Sequence, residues 1–139
     1  NERGLPCNCG SSGCLEAYIG NSRIIKLARK EFKRNISLEE LSFLSNKGNR
    51  QAVKIWRSVG KHLGFGLAGI VNILNLDAVV IGGGVANAGK VLFDSAKDAL
   101  KEQHQLSDLI IRNLCYGALA HEIGMVEPSG QSLSYYNDM

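Results

Sequence analysis

Three of the chain's four cysteines fall within one short run, CNCGSSGC, as Cys7, Cys9 and Cys14. No other feature limits the fold as strongly, because three sulfurs on so short a loop converge unless the backbone holds them apart. Gly10 and Gly13 supply tight turns that allow the convergence. Converging thiolates repel one another and are costly to desolvate, and a divalent cation offsets both effects. Zinc takes four such ligands in a tetrahedron, and this run offers three. A disulfide and a chance cluster remain the alternatives, although scaffold disulfides are usually denser and spread along the chain. Cys115, distant in sequence at the end of an apolar stretch, reads as a buried free thiol. His62, His104 and His121 are each single and read as structural or solvated residues, not as ligands.

The 139 residues fit one domain. With 45% hydrophobic and 21% charged residues, the balance is that of a folded soluble chain and excludes a disordered one. No apolar run reaches the roughly 18 residues of a membrane span. Asn72, Asn75, Asp77 and several glycines interrupt the longest candidate. A net charge of +3 implies no polyanionic partner. The chain starts at Asn1 without a basic-then-apolar leader, so a start within a longer protein is expected. Two prolines against 16 glycines point to long helices and to backbone that approaches something closely.

After the cysteine run, Leu15, Glu16, Ala17, Tyr18 and Ile19 read as a helix start. Glu16 follows Cys14 so closely that a metal pinning the loop also pins this carboxylate. From Ser22 to Arg34, Ile24, Ile25, Leu27, Ala28 and Phe32 fall on one helical face. The other face carries Arg23, Lys26, Arg29, Lys30, Lys33 and Arg34; with Glu31 and no interleaved aromatics, it reads as solvated. Ser37 and Glu40 form a capping box for a short helix to about Leu44, broken by Lys47, Gly48 and Asn49. A long helix is expected from Arg50 to Asn75, with Ala52, Trp56, Val59, Leu63, Leu67, Ile70, Val71 and Leu74 as its stripe. Gly60, Gly64, Gly66 and Gly69 lie inside it, each costing up to about 1 kcal/mol relative to alanine. Close helix packing or a ligand must offset that cost.

Ala78 to Ile81 is wholly apolar and suits a central strand buried on both faces. A helix from near Asn87 would face inward through Ala88, Val91, Leu92, Ser95, Ala99 and Leu100, ahead of a second strand at Leu109, Ile110 and Ile111. A last helix is expected from Gly117 to Met125, ended by Pro128, Ser129 and Gly130, with a loose tail. The order defines an α/β layer unit. Gly82, Gly83 and Gly84 close the first strand and lead toward a helix, a template for nucleotide or phosphate. The same triplet also serves simply as a tight turn. It is neither a Walker P-loop nor a dinucleotide fingerprint.

Together, CNCGSSGCLEAY and NILNLDAVVIGGGVANAGKVLF resemble the ROK family of sugar kinases, bacterial glucokinases among them, and sugar-responsive repressors. The resemblance runs from about Cys7 to Met125 and corresponds to the family's carboxyl-terminal half. It implies the carboxyl-terminal lobe of the actin-like, ribonuclease-H-like ATPase fold, an α/β lobe with a zinc loop and a helical subdomain. One domain over 1–139 would then divide into a zinc loop and helix start (1–20), a helical part (21–75), a nucleotide-side α/β part (76–127) and a tail (128–139). Cys7, Cys9 and Cys14 match the family's zinc cysteines, Glu16 the glutamate that accepts hydrogen bonds from sugar hydroxyls, and Gly82, Gly83 and Gly84 the turn against the nucleotide. The family's fourth zinc ligand is a histidine that would precede Asn1.

The implied activity is transfer of the ATP γ-phosphate to a hexose hydroxyl, with zinc structural and magnesium accompanying ATP. No catalytic residue falls within this stretch, so it is expected to be inactive alone. A cytoplasmic homo-oligomer is implied, with nucleic acid a partner only if a helix-turn-helix lies upstream. The alternatives are the effector-binding half of a ROK repressor and a non-catalytic dimerisation module. Two departures stand out. Leu76 stands where the family usually has proline, the following acid being kept as Asp77, and Gly124, Met125, Val126, Glu127, Pro128 and Ser129 replace Gly-Leu-Ile-Gly-Ala-Ala, which weakens the resemblance on the adenine side.

Overall fold

A computed structural model describes residues 3–76, 78–103 and 110–113, with side chains described over 3–76 and 79–103. The expectations for Asp77, His104, Leu109, Cys115, His121, the helix at 117–125, the altered stretch 124–129 and the tail lie outside these residues. The described elements are α1 (Glu16–Ile19), α2 (Asn21–Phe32), α3 (Leu38–Asn46), α4 (Arg50–Leu74), β1 (Ala78–Ile81), a 3₁₀ turn (Gly84–Ala88), α5 (Lys90–Gln103) and β2 (Ile110–Asn113).

The long helix α4 is the spine, and α1, α2, α3 and α5 all pack on it. It starts where Asn49 Oδ1 accepts the Gln51 and Ala52 N–H groups, each at 3.0 Å, so Asn49 is a cap as well as a helix breaker. It ends where Asn75 takes the left-handed conformation, φ 49°. Its buried stripe holds Ala52, Trp56, Val59, Leu63 and Val71 as expected, and also Ile55 and Ala68. Ile70 and Leu74, assigned to the stripe from spacing, are exposed. The stripe drifts around the helix toward its carboxyl end, where less of the described chain covers it. Trp56, Ile24, Leu41 and Leu92 form the fully buried centre.

The glycines of α4 divide by what they face. A Cβ on Gly60 would lie 2.5 Å from the Leu92 carbonyl oxygen, and one on Gly64 would meet that of Ala96. Helices α4 and α5 therefore pack backbone against backbone, and this close approach offsets the glycine penalty. Phe93 and Ala96 join Leu92, Ala99 and Leu100 on the buried side of α5.

Strands β1 and β2 are parallel, in register from Ala78 with Ile110 to Ile81 with Asn113. With α5 between them they make a βαβ unit. Burial of β1 on both faces is not what forms. Val79 and Ile81 pack against the core, while Val80 between them is 55% exposed. The strand alternates, because only one of its faces meets other described elements. The helix expected from Asn87 also begins later. Gly83 and Gly89 have φ of 89° and 77°, and the left-handed backbone at Gly89 stops the 3₁₀ turn from merging with α5.

Candidate metal centre and the adjoining cleft

The cysteine run folds as a miniature hairpin. Gly13 N–H donates to the Leu5 carbonyl at 2.8 Å, Cys7 N–H to that of Ser11 at 2.8 Å, and Gly10 N–H to that of Cys7 at 3.0 Å. Pro6 and Ser12 form an antiparallel bridge between the two arms. Gly10 and Gly13, with φ of 87° and 75°, provide the two left-handed positions that the reversal needs. The three Sγ atoms lie within 4.8 Å of one another, and Cys9 and Cys14 are 3.6 Å apart. A disulfide requires about 2.05 Å, so the thiols are free. Tetrahedral zinc with bonds of about 2.3 Å spaces its sulfurs by about 3.8 Å, close to the Cys9–Cys14 separation and inside the 4.8 Å limit of the triangle.

Electrostatics separate Cys9 from Cys14. The Ser11 backbone N–H, then the Cys14 and Cys7 thiols, hold Cys9 below the usual thiol range. Hydrogen bonding by Cys9 and Cys7 pushes Cys14 up. A thiolate favoured at Cys9 beside two further sulfurs is a donor set of the kind a divalent cation can bind.

Cys14 leads directly into α1, whose first residue is Glu16. Its carboxylate folds back over Gly20, with Oε1 in the space that a Cβ there would fill. Glu16 and Cys7 line one cleft of 260 Å³, together with Leu5, Asn8, Arg23 and Lys26. The sequence placed the sulfurs and this carboxylate together, and the fold does the same. Arg23, read from the sequence as part of a solvated face, is half-buried and lines the cleft, while Lys26, Arg29, Lys30, Lys33 and Arg34 are exposed.

Gly82, Gly83 and Gly84 stand apart from this cleft, at the carboxyl end of β1. Among the described residues, a Cβ on Gly83 or Gly84 would meet nothing within 4 Å, so the described chain leaves the space beside the turn open. Only Gly83 has the positive φ that requires glycine. The turn leads into the 3₁₀ segment, so the α5 N-terminus does not abut the triplet as a direct glycine-to-helix junction would require.

Two site residues were not singled out as partners. Tyr18 OH accepts the Leu5 N–H at 3.0 Å, and its ring stacks on His62 with centroids 4.8 Å apart. The His62 Nδ1–H donates to the Ser58 carbonyl at 2.7 Å. Spacing puts Leu15 with Tyr18, and His62 with Gly66, on one face of each segment, but nothing in the sequence links the two pairs.

Comparison with known proteins identifies the family. The ROK family model matches residues 1–123. The chain is 29% identical over 109 residues to the DNA-binding transcriptional dual regulator NagC of Escherichia coli, covering 72% of this chain and 27% of that protein. It is 32% identical over 110 residues to a glucokinase of Halalkalibacterium halodurans, covering 69% and 33%. It thus spans about a third or less of the length of these curated relatives. Among solved structures, a ROK hexokinase from Thermus thermophilus superposes with a TM-score of 0.73 at 30% identity, covering 86% of this chain and 41% of that one. A ROK family glucokinase from Streptomyces griseus, in complex with glucose and AMPPNP, shares the fold with a TM-score of 0.71 at 21% identity, covering 79% and 42%. One family match thus runs through the cysteine hairpin, Glu16 and the glycine turn alike: the chain belongs to the ROK family.

Proposed function

We propose that the chain supplies the metal hairpin, the sugar-facing carboxylate and the nucleotide-side turn of a ROK sugar kinase of glucokinase type, within one lobe of an actin-like fold. The observation that carries this reading is the shared cleft, where the cysteine hairpin and the Glu16 carboxylate meet. Cys7, Cys9 and Cys14 would hold a structural zinc, with a fourth ligand left to be assigned. When bound, zinc cross-links the hairpin and contributes about 10 kcal/mol or more to local folding. Glu16, fixed by the hairpin that precedes it, accepts hydrogen bonds from hexose hydroxyls and orients the sugar. The open space beside Gly83 and Gly84 receives the nucleotide.

In the reaction, a hexose hydroxyl oxygen bonds to the γ-phosphorus of ATP as the bond to the β–γ bridging oxygen breaks, releasing ADP. The hydroxyl proton passes to a base not assigned to any position of this chain. Catalysis of this type depends on positioning and charge stabilisation. Magnesium enters with ATP, and cytoplasmic placement and homo-oligomerisation belong to the same proposal.

Losing a charge-assisted hydrogen bond costs about 1.5–3 kcal/mol. Glu16→Gln in the active protein is therefore expected to raise the hexose KM by at least about tenfold, read by a coupled ADP-release assay. An unchanged KM would end the assignment of Glu16.

The similarity to NagC supports a second reading, in which Glu16 grips an effector sugar and no phosphoryl group moves. The two are separated by assaying the full-length protein for ATP-dependent hexose phosphorylation and for sugar-reversible DNA binding.

A further inference from the structure

The cysteine hairpin is tied at both ends to one face of α4. At its amino end, Leu5 N–H donates to Tyr18 OH, Tyr18 stacks on His62, and His62 is held by the Ser58 carbonyl one turn back in α4. At its carboxyl end, Leu15 follows Cys14 and lies on Gly66. A Cβ there would come within 2.8 Å of Leu15 Cδ2 and 2.9 Å of Cδ1. His62 and Gly66 are one helical turn apart on the same face, as are Leu15 and Tyr18 on their own segment. The tie at Leu5 is well placed to act on the metal. Leu5 also accepts the Gly13 N–H, so its position sets the register of both hairpin arms and hence the spacing of Cys7 from Cys14. Leu5, Pro6 and Arg23 separate the Glu16 cleft from a second one of 380 Å³ lined by Tyr18, Ser58 and His62.

We propose that Tyr18, His62 and Gly66 are positioning residues for the metal centre: the α4 face they build fixes both arms of the hairpin, so the grip of the three sulfurs on zinc depends on a helix that supplies no ligand. This rests on the metal reading above. With the tie intact, the sulfurs are preorganised near the zinc geometry. Without it, binding the metal must also order the hairpin.

The test measures zinc affinity by competition with a chromophoric chelator under reducing conditions, beside urea unfolding of the zinc-free protein. Tyr18→Phe deletes one hydroxyl and keeps the stacked ring. Loss of its hydrogen bond is expected to weaken zinc binding by about 3- to 10-fold, with the zinc-free unfolding midpoint unchanged. Gly66→Ala is the complementary variant. Alanine is the better helix former, so zinc-free stability should hold or rise while zinc affinity falls as Leu15 is displaced. A purely structural role would shift the zinc-free midpoint and leave zinc affinity unchanged. Zinc affinities within twofold of the unsubstituted chain in both variants would overturn the proposal and leave the metal reading standing. Failure of the unsubstituted full-length protein to bind stoichiometric zinc would overturn the metal reading itself, and this inference with it.

Discussion

Gly64 and Gly69 are the same residue in the same helix, and their substitution to alanine should have opposite effects. At Gly64 a Cβ would meet the Ala96 carbonyl oxygen and lie 2.8 Å from the Ala99 Cβ, atoms of a packed helix that cannot swing aside. Gly64→Ala is expected to destabilise the protein by about 1–3 kcal/mol, the usual range for overpacking. At Gly69 nothing among the described residues lies within 4 Å of a Cβ, so Gly69→Ala is expected to gain helix propensity of about 0.5–1 kcal/mol. Urea midpoints of the two variants check both signs. The sequence showed four glycines with an unexplained penalty but not which were needed, because the answer lies in the backbone of α5, about thirty residues further along. Conversely, Cys7, Cys9, Cys14 and Glu16 were legible as a group, because their neighbourhood is local and their chemistry is rare at such spacing. Tyr18 and His62 were not, since a single tyrosine and a single histidine carry no mark of each other until α1 and α4 are docked.

Among the elements, α3 shows how far local rules reach. Ser37 caps it as expected, its Oγ accepting the Glu40 N–H at 3.1 Å, and Ser37→Ala should cost about 1 kcal/mol in urea unfolding. The reciprocal half of the capping box does not form. The Glu40 carboxylate instead receives a fork from Arg34, which pairs the end of the basic stretch with α3. That hydrogen-bonded pairing holds the Glu40 carboxyl below its ordinary range, and backbone and Ser37 hydrogen bonds do the same for Glu39. Both folded values lie below the unfolded ones. The contribution is therefore complete above the ordinary carboxylate range and disappears as pH falls through the lowered values. Acid titration of stability should show this loss, and Glu40→Gln should reduce it. Helix α5 taught the opposite lesson. Its start slipped from Asn87 to Lys90 because Gly89 adopts φ 77°, a choice that apolar periodicity does not register.

At the scale of the molecule, the helical core and the small cysteine hairpin rely on different forces. The core is held by apolar burial around Trp56, Ile24, Leu41 and Leu92. The hairpin contributes few apolar groups of its own. Removing zinc with a chelator is therefore expected to speed amide exchange at Cys7, Gly10 and Gly13 while the α4 and α5 amides stay protected, as read by hydrogen-exchange mass spectrometry. The α/β order and the α4 spine were visible in the sequence, because long periodic segments announce themselves. The exposure of Val80 was not, since four consecutive apolar residues read alike whether one or both faces of a strand are covered.

Gly60 and Gly64 face α5, while His62 and Gly66, interleaved with them, look the opposite way onto Tyr18 and Leu15. Two turns of one rod thus clasp the cysteine hairpin and α1 on one flank and the βαβ unit on the other. These two parts cannot swivel independently without breaking a backbone-tight seam. Any hinge motion would have to pivot outside this block and carry the sulfur hairpin, α4 and α5 together as one piece.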